Sequence, residues 1–217
     1  MIIIGIDPSL SSTAITIYKN NNFSLFNYTN KKSNYKWIKE INNMVNFNFH
    51  QFVDNDDFSE SETEKIKIYD LITDNIVNDI EKMIDQETKV FIEGYSYSSA
   101  QGRLIDLVVF GTLIRYKLLK NPNITLYIIP PSTLKKTISE YVYEVDKKGI
   151  ARNEKGKAGG VFDKKDMMEC LMKLDLDNNY LEYIKNNSEI LLKPKNIPKP
   201  FDDVNDSFLL CYFGIKN

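Results

Sequence analysis

The chain has 217 residues, enough for one domain of generous size that buries its core without covalent staples. Its 28 basic and 30 acidic residues leave a net charge of −2 at pH 7, which argues against a uniformly basic nucleic-acid binder and leaves only local charge excesses to weigh. Cys170 and Cys211 match no zinc spacing, and no run approaches the roughly 20 apolar residues of a membrane span.

In chain order, residues 1–7 read as a fully buried strand, Met1-Ile2-Ile3-Ile4-Gly5-Ile6-Asp7, followed by Pro8 and Ser9. That start is a folding strand rather than a charged leader, so a cytoplasmic, reducing location is expected, with both cysteines as reduced core residues. Residues 13–18 alternate with β-branched side chains, Asn20-Asn21-Asn22 signals a turn, and residues 23–28 pair back. The opening is therefore expected to be a three-stranded antiparallel meander. Residues 30–60 are polar and aromatic, hold Trp37 and His50, and lack clean periodicity; they read as an insertion with one short helix. Between 62 and 86, Ile66, Tyr69, Ile72, Ile76, Ile80 and Met83 recur at helical spacing, with Ser61 or Thr63 placed to cap.

Residues 89–93 form a second buried strand ending in Glu93. Residues 100–119 read as an apolar helix around Gly111. A mid-helix glycine costs about 1 kcal/mol, so close approach of a neighbouring element is expected there. A strand over 126–129 stops at Pro130-Pro131, and Ser132 is placed to cap a short helix through Ile138. Residues 141–162 form a glycine- and lysine-rich segment, read as a flexible, phosphate-facing loop. Asp163 caps a helix to Leu174, and Pro194, Pro198 and Pro200 mark a linker. The last helix begins near Asp202 or Asp203 and buries Val204, Phe208, Cys211 and Ile215. This order predicts a mixed α/β sheet with helices on both faces in one domain over 1–217, with insertions near 30–60 and 141–162.

Asp7 and Glu93 each close an apolar strand, and Asp203 and Asp206 share one face of a helix start. Acids in a first helical turn alone would only complement the helix dipole. Clustered carboxylates repel one another and resist ionisation, so a hard divalent cation is the usual reason to gather them. The four acids together point to a magnesium-type site.

These motifs resemble the RuvC-type Holliday junction resolvases of the RNase H-like (retroviral integrase) superfamily. The resemblance rests on Ile4-Gly5-Ile6-Asp7-Pro8-Ser9, on Phe91-Ile92-Glu93 before the Gly111 helix, and on the Asp203-x-x-Asp206 pattern. It extends to Pro130-Pro131-Ser132 before Leu134-Lys135-Lys136, and to Asp163-Lys164-Lys165-Asp166-Met167. The Asn-, Ile-, Lys- and Tyr-rich composition suggests AT-rich coding, and with it a phage or viral member.

The resemblance implies an RNase H-like five-stranded mixed sheet. It also implies a homodimer that cuts four-way junctions by phosphodiester hydrolysis with two Mg²⁺ ions, Mn²⁺ substituting. Asp7, Glu93, Asp203 and Asp206 would be the metal ligands, with Lys164 catalytic beside them. Lys135, Lys136, Lys147, Lys148, Lys155, Lys157 and Lys165 would contact DNA. Tyr95 or Tyr97 would stand in for the family aromatic after the middle acid, whose place Ser96 holds, and Asp202 would cap the last helix. The apolar stretch 104–119 is the expected dimer face. A flap or branched-DNA nuclease, an actin-like or sugar-kinase ATPase, and a non-catalytic DNA-binding module are the competing classes. The ATPase would need a second glycine-rich phosphate loop after a strand, which is absent. Gly149 and Gly156-Lys157-Ala158 miss the P-loop spacing and its hydroxyl.

Overall fold

The computed structural model describes residues 1–32, 35–50, 58–95 and 101–217, with backbone alone for 58–60 and 101–103. Three strands open the chain, β1 (Ile2–Asp7), β2 (Ser12–Lys19) and β3 (Asn22–Thr29), paired antiparallel as expected. Asn20 and Asn21 both take positive φ at the turn, the conformation asparagine tolerates best after glycine. The insertion holds a helix, α1 (Lys36–Ile41), and also a strand, β4 (Val45–Phe49), which adds parallel to β3. With β5 (Thr88–Glu93) and β6 (Ile124–Ile129) the sheet has six strands rather than five, in the order β4-β3-β2-β1-β5-β6. The extra strand, Val45-Asn46-Phe47-Asn48-Phe49, does alternate, but asparagine is a poor strand former and masks the pattern.

Two helices cover one face. These are α2 (Phe58–Met83) and α3 (Gln101–Leu118), whose Ile72, Ile76, Ile80, Phe110 and Ile114 pack on Ile2, Ile4 and Ile6 of β1. The α2 helix starts at Phe58, so Ser61 and Thr63 lie within it rather than at its cap, and Ile66 is exposed rather than part of the buried stripe. On the other face lie α4 (Pro131–Val142), α5 (Lys164–Lys173), α6 (Asn179–Asn186), α7 (Ser188–Leu192) and α8 (Phe201–Lys216). Pro130, not Ser132, occupies the N-cap of α4. Asp163 caps α5 as expected, its carboxylate accepting from the amides of Lys165 and Asp166.

Successive strand side chains point to opposite faces. Ile3, Gly5 and Asp7 therefore share the α8 face, while Ile2, Ile4 and Ile6 face α2 and α3. A Cβ on Gly5 would collide with the carbonyl oxygen of Ser207 and the amide of Cys211, so the bare glycine lets α8 lie directly on β1. The Cys211 thiol reaches the carbonyl of Ile3 at 3.5 Å. The last helix is buried on every side from Val204 to Gly214, including Asn205, whose side chain accepts from Tyr180 Oη at 2.7 Å. Its sequence stripe of Val204, Phe208 and Cys211 is one side of a helix enclosed all round.

Candidate active site

The sheet register brings the strand acids together. β1 and β5 are parallel, with Gly5 beside Phe91 and Ile6 beside Ile92. Two residues beyond each member of the first pair stand Asp7 and Glu93, at the same sheet end and on the same face. The α8 helix runs against β1, so its first two turns carry Asp203 and Asp206 to that end. Asp7, Asp203 and Asp206 are all buried, and Glu93 is partly so.

Burial, Glu93 and Asp206 push the Asp7 carboxyl well above the usual carboxylate range, against the pull of Lys164. Burial and then Asp206 raise Glu93 to about 7, while Lys164, a hydrogen bond with Asp7 and Lys135 oppose. Burial also raises Asp203, opposed by Lys199, and Asp206, opposed by Lys164. Such shifts mark acids taken out of water first and set near like charges second.

Two lysines stand among them. Lys164, from the first turn of α5, pairs with Asp206 and lies 3.2 Å from Asp202 Oδ1. Lys199, from the linker before α8, pairs with Asp203 and lies 3.2 Å from Asp202 Oδ2. Burial alone would lower both ammoniums, but the facing carboxylates reverse this and raise them. Asp202 is held below the usual range by the same two lysines, against its burial. Asp202 therefore does not cap α8, whose N-cap is Pro200; it bridges Lys164 and Lys199. Lys199 and Asp202 are the site residues that sequence reading missed or misassigned. Their signals were present as i, i+4 spacings, Lys199 to Asp203 and Asp202 to Asp206.

Among the described residues no three or more acidic, His or Cys side chains stand close enough to hold one ion as they are placed. The donor set nevertheless fits a hard divalent cation in kind. It is all carboxylate oxygen drawn from β1, β5 and α8, and among the described residues Asp203 Oδ2 is a buried acceptor without a hydrogen-bond partner.

The remaining sequence candidates fall into three groups. Lys135 is near enough to draw the Glu93 carboxyl slightly down, and Lys165 reaches the Leu192 carbonyl at 2.6 Å. Lys136 lies 3.8 Å from Glu140, and Lys147 and Lys148 are exposed on a turn. Lys155 and Lys157 are instead engaged in packing the hairpin over 145–158, closed by antiparallel bridges, onto α5: Lys155 pairs with Glu169 at 2.9 Å, and Lys157 with Asp163 at 2.8 Å and with the buried Asp166.

The segment 141–162 is not an open loop. Bridges join Val145 to Ala151 and Arg152 to Ala158, and the buried Asn153 binds Asp166 at 3.0 Å. Tyr95 is packed onto α3. Its hydroxyl donates to the Val108 carbonyl at 3.0 Å, and Arg115 stacks 4.0 Å over its ring. Gly111 makes room for that ring: an added Cβ would lie 3.1 Å from Tyr95 Cε1. Tyr97 lies outside the described residues.

No protein-family model and no curated protein sequence matches the chain. Among solved structures it is similar to Thermus thermophilus RuvC, at 11% identity and a TM-score of 0.47, covering 100% of this chain and 96% of that one. It is also similar to T. thermophilus RuvC in complex with a Holliday junction substrate, at 9% identity and a TM-score of 0.45, covering 97% and 90% of the two chains.

Proposed function

We propose that the chain is a metal-dependent endonuclease that cuts branched DNA, four-way junctions foremost, as a homodimer. The observation that carries this reading is the gathering of Asp7, Glu93, Asp203 and Asp206 at one sheet end, with Lys164 paired to Asp206 and Lys199 to Asp203. Surface decoration does not account for buried acids from three elements whose mutual repulsion is only partly offset.

Asp7, Glu93, Asp203 and Asp206 would hold two Mg²⁺ or Mn²⁺ ions. Such a pair supplies an activated water and Lewis-acid stabilisation of the leaving 3′ oxygen of a phosphodiester. Lys164 stays protonated throughout and offers a fixed positive charge to the phosphate as negative charge builds on it. Lys135, on α4, would add a second positive group.

Cutting two opposed strands calls for two such sites, which a twofold dimer provides. The outward row of α3 suits that role. Ile105, Val109, Thr112 and Tyr116 follow one another at helical spacing, and Ile105 and Tyr116 are 67% and 60% exposed. An apolar row left facing outward is a common mark of an interface.

The test is incubation with end-labelled four-way junction, flap and linear duplex, and separately with ATP, with and without Mg²⁺. Mg²⁺-dependent nicking of the junction at paired positions is expected. ATP turnover without nicking would overturn the reading, and preference for the flap would move the substrate within it.

A further inference from the structure

A cavity of about 520 Å³ opens between the start of α5 and the linker that precedes α8. Lys164, Lys165, Lys195, Asn196, Lys199 and Asp202 are among its walls. Asp163 also lines it, so four ammoniums face two carboxylates, and the positive charge not held in an ion pair among the described residues is that of Lys165 and Lys195. Lys164, Lys199 and Asp202 belong at once to this cavity and to the acid cluster, so hollow and cluster share a wall. The lysines are not equivalent. Lys164 and Lys199 are committed to carboxylates. Lys165 ties the start of α5 to the end of α7 through the Leu192 carbonyl. Lys195 is exposed, and among the described residues no ion pair holds it. Asn196 beside it brings an amide that can donate to an anionic oxygen.

We propose that this cavity seats a backbone phosphate of the substrate strand next to the linkage that is cut, with Lys195 and Asn196 as its contacts. The chemistry fits. A phosphodiester carries one diffuse negative charge and acceptor oxygens, and lysine and asparagine are ordinary partners for it. Lys164 and Lys199, paired to the acids of the cluster, form the wall that the phosphate seat and the cluster share. The inference rests on the nuclease reading above and adds a binding site to it.

The experiment uses the full chain in EDTA, with fluorescently labelled four-way junction and binding read by anisotropy across a salt series. Lys195→Glu and Asn196→Ala lie on exposed linker positions and leave the acid cluster intact. Loss of one phosphate contact lowers the slope of log affinity against log salt by about 0.9. Lys195→Glu is expected to show that change with on the order of tenfold weaker binding. Junctions bearing one neutral methylphosphonate at successive linkages locate the seat. One position is expected to weaken wild type and to add nothing in Lys195→Glu. Unchanged slopes in the variant, or additive effects at every linkage, would overturn the proposal. Tight junction binding by wild type without any Mg²⁺-dependent cleavage would sink the nuclease reading while the slopes still decide the cavity. A wild type that binds no junction overturns both.

Discussion

Gly5 of the first strand lies directly under Ser207 of the last helix, with no room for a β-carbon between them. That approach sets where α8 starts relative to β1, and so how far Asp203 and Asp206 stand from Asp7. The glycine thus positions the acid cluster that begins two residues further along β1.

Gly5→Val would force α8 off the strand. Overpacking of this kind costs about 1–3 kcal/mol or more where the obstacle is backbone. A lower denaturation midpoint is expected, with cleavage reduced beyond what the folded fraction explains. A variant as stable and active as wild type would show that α8 does not need the close contact.

Asp7→Asn is nearly isosteric and removes one charge from a mutually repelling set. Cleavage should disappear while junction binding persists. Because the Asp7 carboxyl is raised, stability of the metal-free protein at pH 8 should not fall and is expected to rise. Nicking at wild-type level would remove Asp7 from the mechanism.

Glu93 sets a pH dependence whose sign follows from its shift. Its carboxyl sits at about 7 when folded against 4.5 in the unfolded chain. The folded state therefore holds that proton more tightly. Metal-free stability should decline as pH rises from about 4.5 to about 7 and level off above. Thermal melts in EDTA across that window give the slope, and Glu93→Gln should flatten it. Added Mg²⁺ should raise the melting temperature more at pH 8 than at pH 5. A curve unchanged by Glu93→Gln would contradict the assignment.

Lysines of the hairpin should divide into two kinds. Lys157→Ala leaves the Asp166 carboxylate buried without its ion-pair partner. The full cost of such a break is reduced because Lys157 is partly exposed, so about 1–2 kcal/mol is expected. Lys147→Ala and Lys148→Ala should leave stability unchanged, and together should lower the salt slope of junction binding by up to about 2. Chemical denaturation and anisotropy separate the two effects. Equal stability across all three variants would mean that the Lys157 pair contributes nothing.

Ile105→Glu places a charge in the outward row of α3 without touching its buried side, where Phe110, Ile114 and Leu118 lie. A dimer that uses this face should become a monomer by light scattering and lose paired cutting, with melting little changed. A wild type that is monomeric both free and on the junction would contradict the dimer.

Much of the site was legible from residue order. Alternation put Gly5 and Asp7 on one face of an apolar strand, Glu93 ended a second strand in the same way, and the spacing of Asp203 and Asp206 placed them on one helix face. Those features depend on backbone periodicity, which the local sequence sets. Gly111 likewise announced a close approach, though not that a tyrosine ring would fill the space. Other features required the closed fold. Lys199 lies in a proline-rich linker, where its i, i+4 spacing to Asp203 does not by itself mean a shared helix face, and Asp202 looked like an ordinary capping residue. Each became part of the site only when the linker brought Lys199 back onto α8 beside Lys164. The β4 strand and the hairpin over 145–158 also escaped, because polar side chains there are satisfied by partners distant in sequence, Asn153 by Asp166 among them. Periodicity decides which face a residue takes. Which charge neutralises which is decided by tertiary proximity, since Coulomb energy follows distance in space and not separation along the chain.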